Sequence, residues 1–291
     1  MYKVIQKHKN YSLHIMVVIL GLTGIFGKLI SLNELELVWY RMLIAFVSLS
    51  IFLVYKKDIF SIKKTDFFGL LGVGSLVTLH WIFFFGSIKA SSVSIAVVCL
   101  STSSLFSAFI EPIFFKRKII LYEVIMGIVV ILALVYVLGM DSKNIKGYIY
   151  GIAAAFLGTL FTLFNAKYLK KVDAAKITMV EMLSGVLIIT SIFLYNKDYS
   201  VFQNLPSIND AYYLILLGTI CTAMVFVWMT EIMRHVTPYS LIMAINLEPI
   251  YSIVLALIIF GQSEFMSTSF YIGASVIIGV VFLDGYLKNK Q

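Results

Sequence analysis

Apolar residues run along the chain in ten stretches, each separated from the next by a short polar or charged joint. A helix that crosses a bilayer needs about 20 mostly apolar residues. Ten segments meet that demand, at 13–30, 36–55, 67–88, 91–115, 119–139, 147–168, 177–195, 211–233, 237–260 and 266–287. The pattern predicts an all-α polytopic membrane protein of ten transmembrane helices. The longest joint, 196–210, holds fifteen residues, too few for a soluble catalytic domain, so any chemistry lies within the helices. The joint at 140–146 divides the chain into two five-helix repeats, 1–140 and 141–291.

The halves are related in sequence. A shift of 146 residues aligns Leu70-Leu71-Gly72 with Leu216-Leu217-Gly218, Ser94 with Ser240, Gly127 with Gly273, and Val130-Ile131 with Val276-Ile277. Because five is odd, the second half enters the membrane from the opposite side, which makes the repeat inverted. Inverted repeats place a solute site near the midplane, between the halves.

Composition agrees with the pattern: 60% of residues are hydrophobic and 13% charged, with a mean hydropathy of +0.96. The net charge of +8 points to orientation rather than to nucleic acid. With the N-terminus inside, seventeen of the 23 basic residues fall on inner segments and four on outer ones, which puts both termini in the cytoplasm. The location expected is the cytoplasmic (inner) membrane of a bacterium. Lys3, Lys7 and Lys9 precede the first apolar run, yet no small-residue cleavage site follows it, so it reads as a retained helix. Cys99 and Cys221 fall within spans and reveal nothing of redox compartment.

Polar residues inside the spans carry the functional signal. Glu248 lies almost halfway along the ninth span, where an acid costs about 2.5–3.5 kcal/mol. Pro249 follows it, removes a backbone donor and predicts a hinge in the second half alone. A carboxylate beside a kink suits a binding cavity; a protonated glutamic acid bonded to a neighbouring helix is the structural alternative. His80 and Phe84 share one face of the third span, and Trp81 the next, an imidazole beside an aromatic wall. Phe83 to Phe85 are expected mostly to meet lipid. Arg41 is expected near the outer mouth and Glu181 near the inner one, with snorkelling to the interface as the alternative for each, and Lys28 is expected to snorkel. Ser103 belongs to a stripe of small polar residues in the fourth span, which serves a cavity wall or close packing equally. Asn246 completes the set. The candidate substrate-binding residues are therefore Arg41, His80, Trp81, Phe84, Ser103, Glu181, Asn246 and Glu248, with Pro249 as hinge. Proton coupling through Glu248 or His80 is an open expectation.

No GxxxxGK[ST] loop, HExxH or CxxC occurs, so neither ATP, a metal nor another cofactor is expected. An intramembrane enzyme using His80 with a fourth-span hydroxyl is the rival reading, without a supporting motif. The loops are too short for a scaffold that binds partners.

The ten spans, their two halves, and Asn246-Leu247-Glu248-Pro249 followed by an apolar run to Phe260-Gly261-Gln262 resemble the EamA-type transporters of the drug/metabolite transporter superfamily. The family's second half typically reads Leu-Glu-Pro, an apolar stretch, then Gly-Glu; here Gln262 stands at the acidic position. The first half departs further, with Thr102-Ser103 in place of Glu-Pro and Phe115-Lys116 in place of Gly-Glu. The resemblance implies a carrier, commonly an exporter, of amino acids or similar small metabolites. Its central cavity opens alternately to each side, and its partners are the solute and the lipid bilayer.

Overall fold

The computed structural model describes residues 9–58, 62–140 and 142–288; Lys3, Lys7 and Lys290 of the charge count lie outside them. The described chain is helical throughout. The helices are α1 (Lys9–Leu29), α2 (Glu34–Tyr55), α3 (Lys64–Ala90), α4 (Val93–Leu100), α5 (Ser103–Phe115), α6 (Leu121–Met140) and α7 (Ile145–Tyr168). They continue as α8 (Ala174–Tyr195), α9 (Ser200–Gln203), α10 (Ile208–Gly218), α11 (Val225–Ile232), α12 (Pro238–Ile245), α13 (Glu248–Phe260) and α14 (Thr268–Lys288). Among the described residues, seven helical runs are long and apolar enough to cross a membrane, with shorter apolar segments in α1, α6 and α14. Helix limits fall within four residues of those read from the apolar pattern.

Three spans are interrupted, each for a local reason. In the fourth, the hydroxyls of Thr102, Ser103 and Ser104 donate to carbonyls three residues earlier, and the backbone N–H groups of Ser101 and Thr102 do the same. Side chains competing for these carbonyls bend a helix, and α4 gives way to α5. In the ninth, Pro249 supplies no N–H, Leu247 bonds back only three residues to Ala244, and α12 gives way to α13. The hinge was expected in the second half alone, at the proline; the hydroxyl run produces a matching break in the first. Asn246 ties the two breaks together, its Nδ2 donating to the Ser101 carbonyl at 3.4 Å. Between α10 and α11, Thr219–Met224 forms a wider π turn.

Contacts sort the helix ends into two groups. At one end, Lys176 pairs with Asp58 at 2.6 Å, Arg234 with Asp173 at 3.7 Å, and Glu111 accepts from the N–H of Tyr239 at 2.7 Å. At the other, Lys28 pairs with Glu264 at 2.8 Å, Asp210 accepts from Ser31, and Lys89 donates to the Ile30 carbonyl. Successive helices therefore run in alternate directions. We call these the proximal and distal ends, α1 starting at the proximal one.

Polarity is arranged for lipid. Ile51, Leu132, Ile113 and Ile258 are exposed, while Arg41, Glu181 and Thr222 are buried. This reverses the soluble pattern and satisfies the rule that polar groups within a bilayer face protein. The Phe run does not follow expectation. Phe84 and Phe85 are buried, because α3 is enclosed by α7 and α8. Lys28, expected to snorkel, pairs with Glu264 and lies over the Phe260 ring.

Candidate functional site

A cavity of about 80 Å³ lies between α1, α2, α3, the α4–α5 break, α7, α11 and the α12–α13 break, with room for about six waters. Arg41, His80, Trp81, Phe84, Ser103 and Glu248 line it. The structure brings these six together from four expected spans.

Arg41 is almost fully buried on α2. Its Nε donates to Thr222 Oγ1 at 2.6 Å, and Thr222 in turn donates to the Leu217 carbonyl, five residues back across the π turn. The wider turn thus creates the acceptor that fixes the guanidinium, as π bulges at functional sites often do. The guanidinium carbon sits 3.8 Å from the centre of the Trp81 ring, a cation–π stack strengthened by burial. Trp81 is itself held edge-on by Phe226 at 4.9 Å. Nη1 of Arg41 has no hydrogen-bond partner among the described residues.

Glu248 opens α13, where the partial positive charge of a helix N-terminus favours an anion. Arg41 and Glu248 face the same cavity, and no contact ion pair joins them among the described residues. A basic and an acidic side chain thus line one small cavity.

His80 is fixed by α7. Its Nδ1 lies 2.7 Å from the Ala154 carbonyl, an acceptor only, so Nδ1 carries the proton and Nε2 is free to accept in the neutral ring. Gly158 allows the approach, for a Cβ there would meet Nδ1 at 3.1 Å. The ring stacks on Phe84 and stands edge-on to Phe161. The Ser103 hydroxyl donates to the Leu100 carbonyl.

Two of the expected residues lie elsewhere. Asn246 is buried in the link between the broken helices, and Glu181 is fully buried on α8, absent from the cavity wall. Sequence reasoning missed Leu20, Phe161, Phe226 and Met229, which supply apolar wall, and Thr222, which holds Arg41. In a chain whose outside is as apolar as its inside, hydrophobicity does not separate lipid-facing from cavity-facing side chains. Thr222 carried a weak signal, a hydroxyl within the eighth span.

The EamA-like transporter family model matches residues 11–139 and again residues 145–284. The chain belongs to the EamA-like transporter family. It is thus a drug/metabolite-superfamily transporter and an integral membrane protein. It is similar to the uncharacterised transporter YxxF of Bacillus subtilis (strain 168), 24% identical over 257 residues that span 85% of this chain and 80% of the relative. A solved crystal structure shares its fold with a TM-score of 0.69 at 12% identity, covering 96% of each chain. The cavity therefore stands in a transporter whose first matched segment contributes one interrupted span to its wall and whose second contributes two.

Proposed function

We propose that this protein is a secondary transporter, an exporter of small amphipathic metabolites such as amino acids, working by alternating access around the central cavity. Ten spans form two inverted five-helix halves, 1–140 and 141–291, with both termini in the cytoplasm of a bacterium. The proximal end is then cytoplasmic and the distal end faces outward. The observation that carries the reading is the placement of Arg41 and Glu248 in the wall of one small cavity. A zwitterion's carboxylate suits the unpartnered Nη1 of Arg41 and its ammonium suits Glu248. Trp81, Phe84 and Phe226 suit an apolar side chain, and the Nε2 of His80 can accept one further hydrogen bond.

A volume of about 80 Å³ admits only a handful of waters, so this conformation is constricted and the wall must part to admit a solute. The paired breaks at Ser101–Thr102 and Asn246–Leu247 are where α4 and α12 can swing relative to α5 and α13. Pro249 serves as the hinge of the second half. Catalysis is the weaker reading, since among the described residues the Ser103 hydroxyl donates to the Leu100 carbonyl rather than to His80.

The test is efflux from liposomes. Vesicles holding purified protein and a panel of amino acids should release at least one chemically unchanged solute faster than protein-free vesicles. Identical release rates across the panel, or a chemically altered solute, would overturn the proposal.

A further inference from the structure

We propose that Glu181 on α8 and Asn165 on α7 form a proton-binding site, separate from the solute cavity, that couples transport to a proton gradient. The coupling role rests on the transporter reading; the site itself rests on geometry.

Both residues are fully buried, and the Asn165 side chain interacts with the Glu181 carboxyl. No hydrogen bond of normal geometry reaches either carboxyl oxygen of Glu181 or either amide atom of Asn165 among the described residues. Three buried acids near the helix ends are tied down. Glu264 accepts from Val93, Ser94 and Lys28, Glu111 from Tyr239 and Arg117, and Asp210 from Ser31. These acids act as latches, and Glu181 does not.

The surroundings are closely packed and offer Glu181 no ion pair among the described residues. Gly74 brings the α3 backbone against α8 so closely that a Cβ there would lie 2.7 Å from the Glu181 carbonyl oxygen and 2.8 Å from its Cα. On α2, α3 and α11, which pack against α8, and on α7 and α8 themselves, the following charged groups are engaged elsewhere. Arg41 of α2 holds Thr222 and stacks on Trp81; His80 of α3 bonds Ala154, and Asp66 faces Lys171. Lys167 of α7 lies over the Phe114 ring, Glu231 of α11 pairs with Arg234, and Lys176 of α8 pairs with Asp58 and Asp173.

An ionised carboxylate in such a place is costly without a partner. A neutral acid facing a carboxamide is complementary. The acid O–H can donate to the amide oxygen while the amide N–H donates to the acid carbonyl, so one proton makes two hydrogen bonds. Without that proton, only one bond can form and the amide oxygen confronts a negative charge. The pair therefore has two states that differ by a single proton.

Its position suits coupling. Asn165 lies one helical turn beyond Thr162, a cavity-lining residue, and Glu181 stands about 10 Å from the proximal start of α8. Asn165 shares α7 with part of the cavity wall, so movement of α7 changes the pair and the wall together.

The experiment compares wild type with E181Q in liposomes, measuring solute exchange at equal pH and accumulation against a pH gradient. E181Q keeps the side-chain shape and can pair amide to amide with Asn165, so a purely structural role would leave accumulation intact. Expected is about tenfold accumulation by wild type per unit of pH gradient, lost in E181Q while exchange persists. Accumulation retained by E181Q, or wild-type exchange that ignores the gradient, would overturn the proposal. A second readout needs no transport. An infrared pH titration of E248Q should show a protonated carboxyl band that E181Q/E248Q lacks, and absence of that band in E248Q would overturn the site. If no solute exchanges at all, the transporter reading fails and the infrared titration alone decides whether the proton site stands.

Discussion

Arg41 is held on two sides, by Thr222 and by the Trp81 ring, and its Nη1 is unpartnered beside the cavity. If Nη1 receives the solute carboxylate, Arg41→Met removes a charge-assisted hydrogen bond worth about 1.5–3 kcal/mol. The apparent affinity in exchange assays should then fall roughly 10- to 100-fold. Arg41→Lys should restore little of it, since an ammonium neither stacks flat on an indole nor spans both Thr222 and a carboxylate. An affinity unchanged in Arg41→Met would remove this residue from the site. The sequence made Arg41, His80 and Glu248 visible because lipid makes every buried charge conspicuous. It could not say that Glu181 would be sealed away from the cavity on α8, since burial depends on which face of a helix meets its neighbours. The acid of the loop between the ninth and tenth spans was missed for a related reason. The family pattern points to position 262, a glutamine here, while Glu264, two residues on, is the buried side chain that meets Lys28.

The broken helices belong to the next scale. A proline within a helix announces its break, so the α12–α13 joint was legible; the hydroxyl run at Thr102 to Ser104 was read as a packing stripe, because serines that bond backward and serines that pack look the same in sequence. The π turn at Thr219–Met224 left no trace, having neither proline nor glycine inside it. Pro249→Ala should return the missing N–H and make α12–α13 more continuous, a change that favours helix by up to about 3 kcal/mol. The expected outcome is slower solute exchange with unchanged or higher thermal stability, followed by radiolabel exchange and by melting in detergent. Faster or equal exchange would show that the joint does not move.

At the scale of the whole molecule, the two ends mirror each other. The distal N-terminus of α4 is capped by Glu264, which also pairs with Lys28; the proximal N-terminus of α12 is capped by Glu111, which also pairs with Arg117. Each broken helix is thus latched by a buried carboxylate from the opposite end of its bundle partner. Losing one member of such a pair costs about 3–5 kcal/mol, enough to shift a balance of open states. Glu264→Ala should favour opening toward the distal face and Glu111→Ala toward the proximal face, read as opposite changes in reagent access to the cavity. Shifts in the same direction would contradict the mirrored arrangement. That access can be measured directly with Ser103→Cys, placed in the cavity wall of a protein whose Cys99 and Cys221 are replaced. A membrane-impermeant thiol reagent should label this cysteine from either face of the membrane, and a transported solute should protect it from both. Labelling from one face alone, in every solute condition, would contradict alternating access.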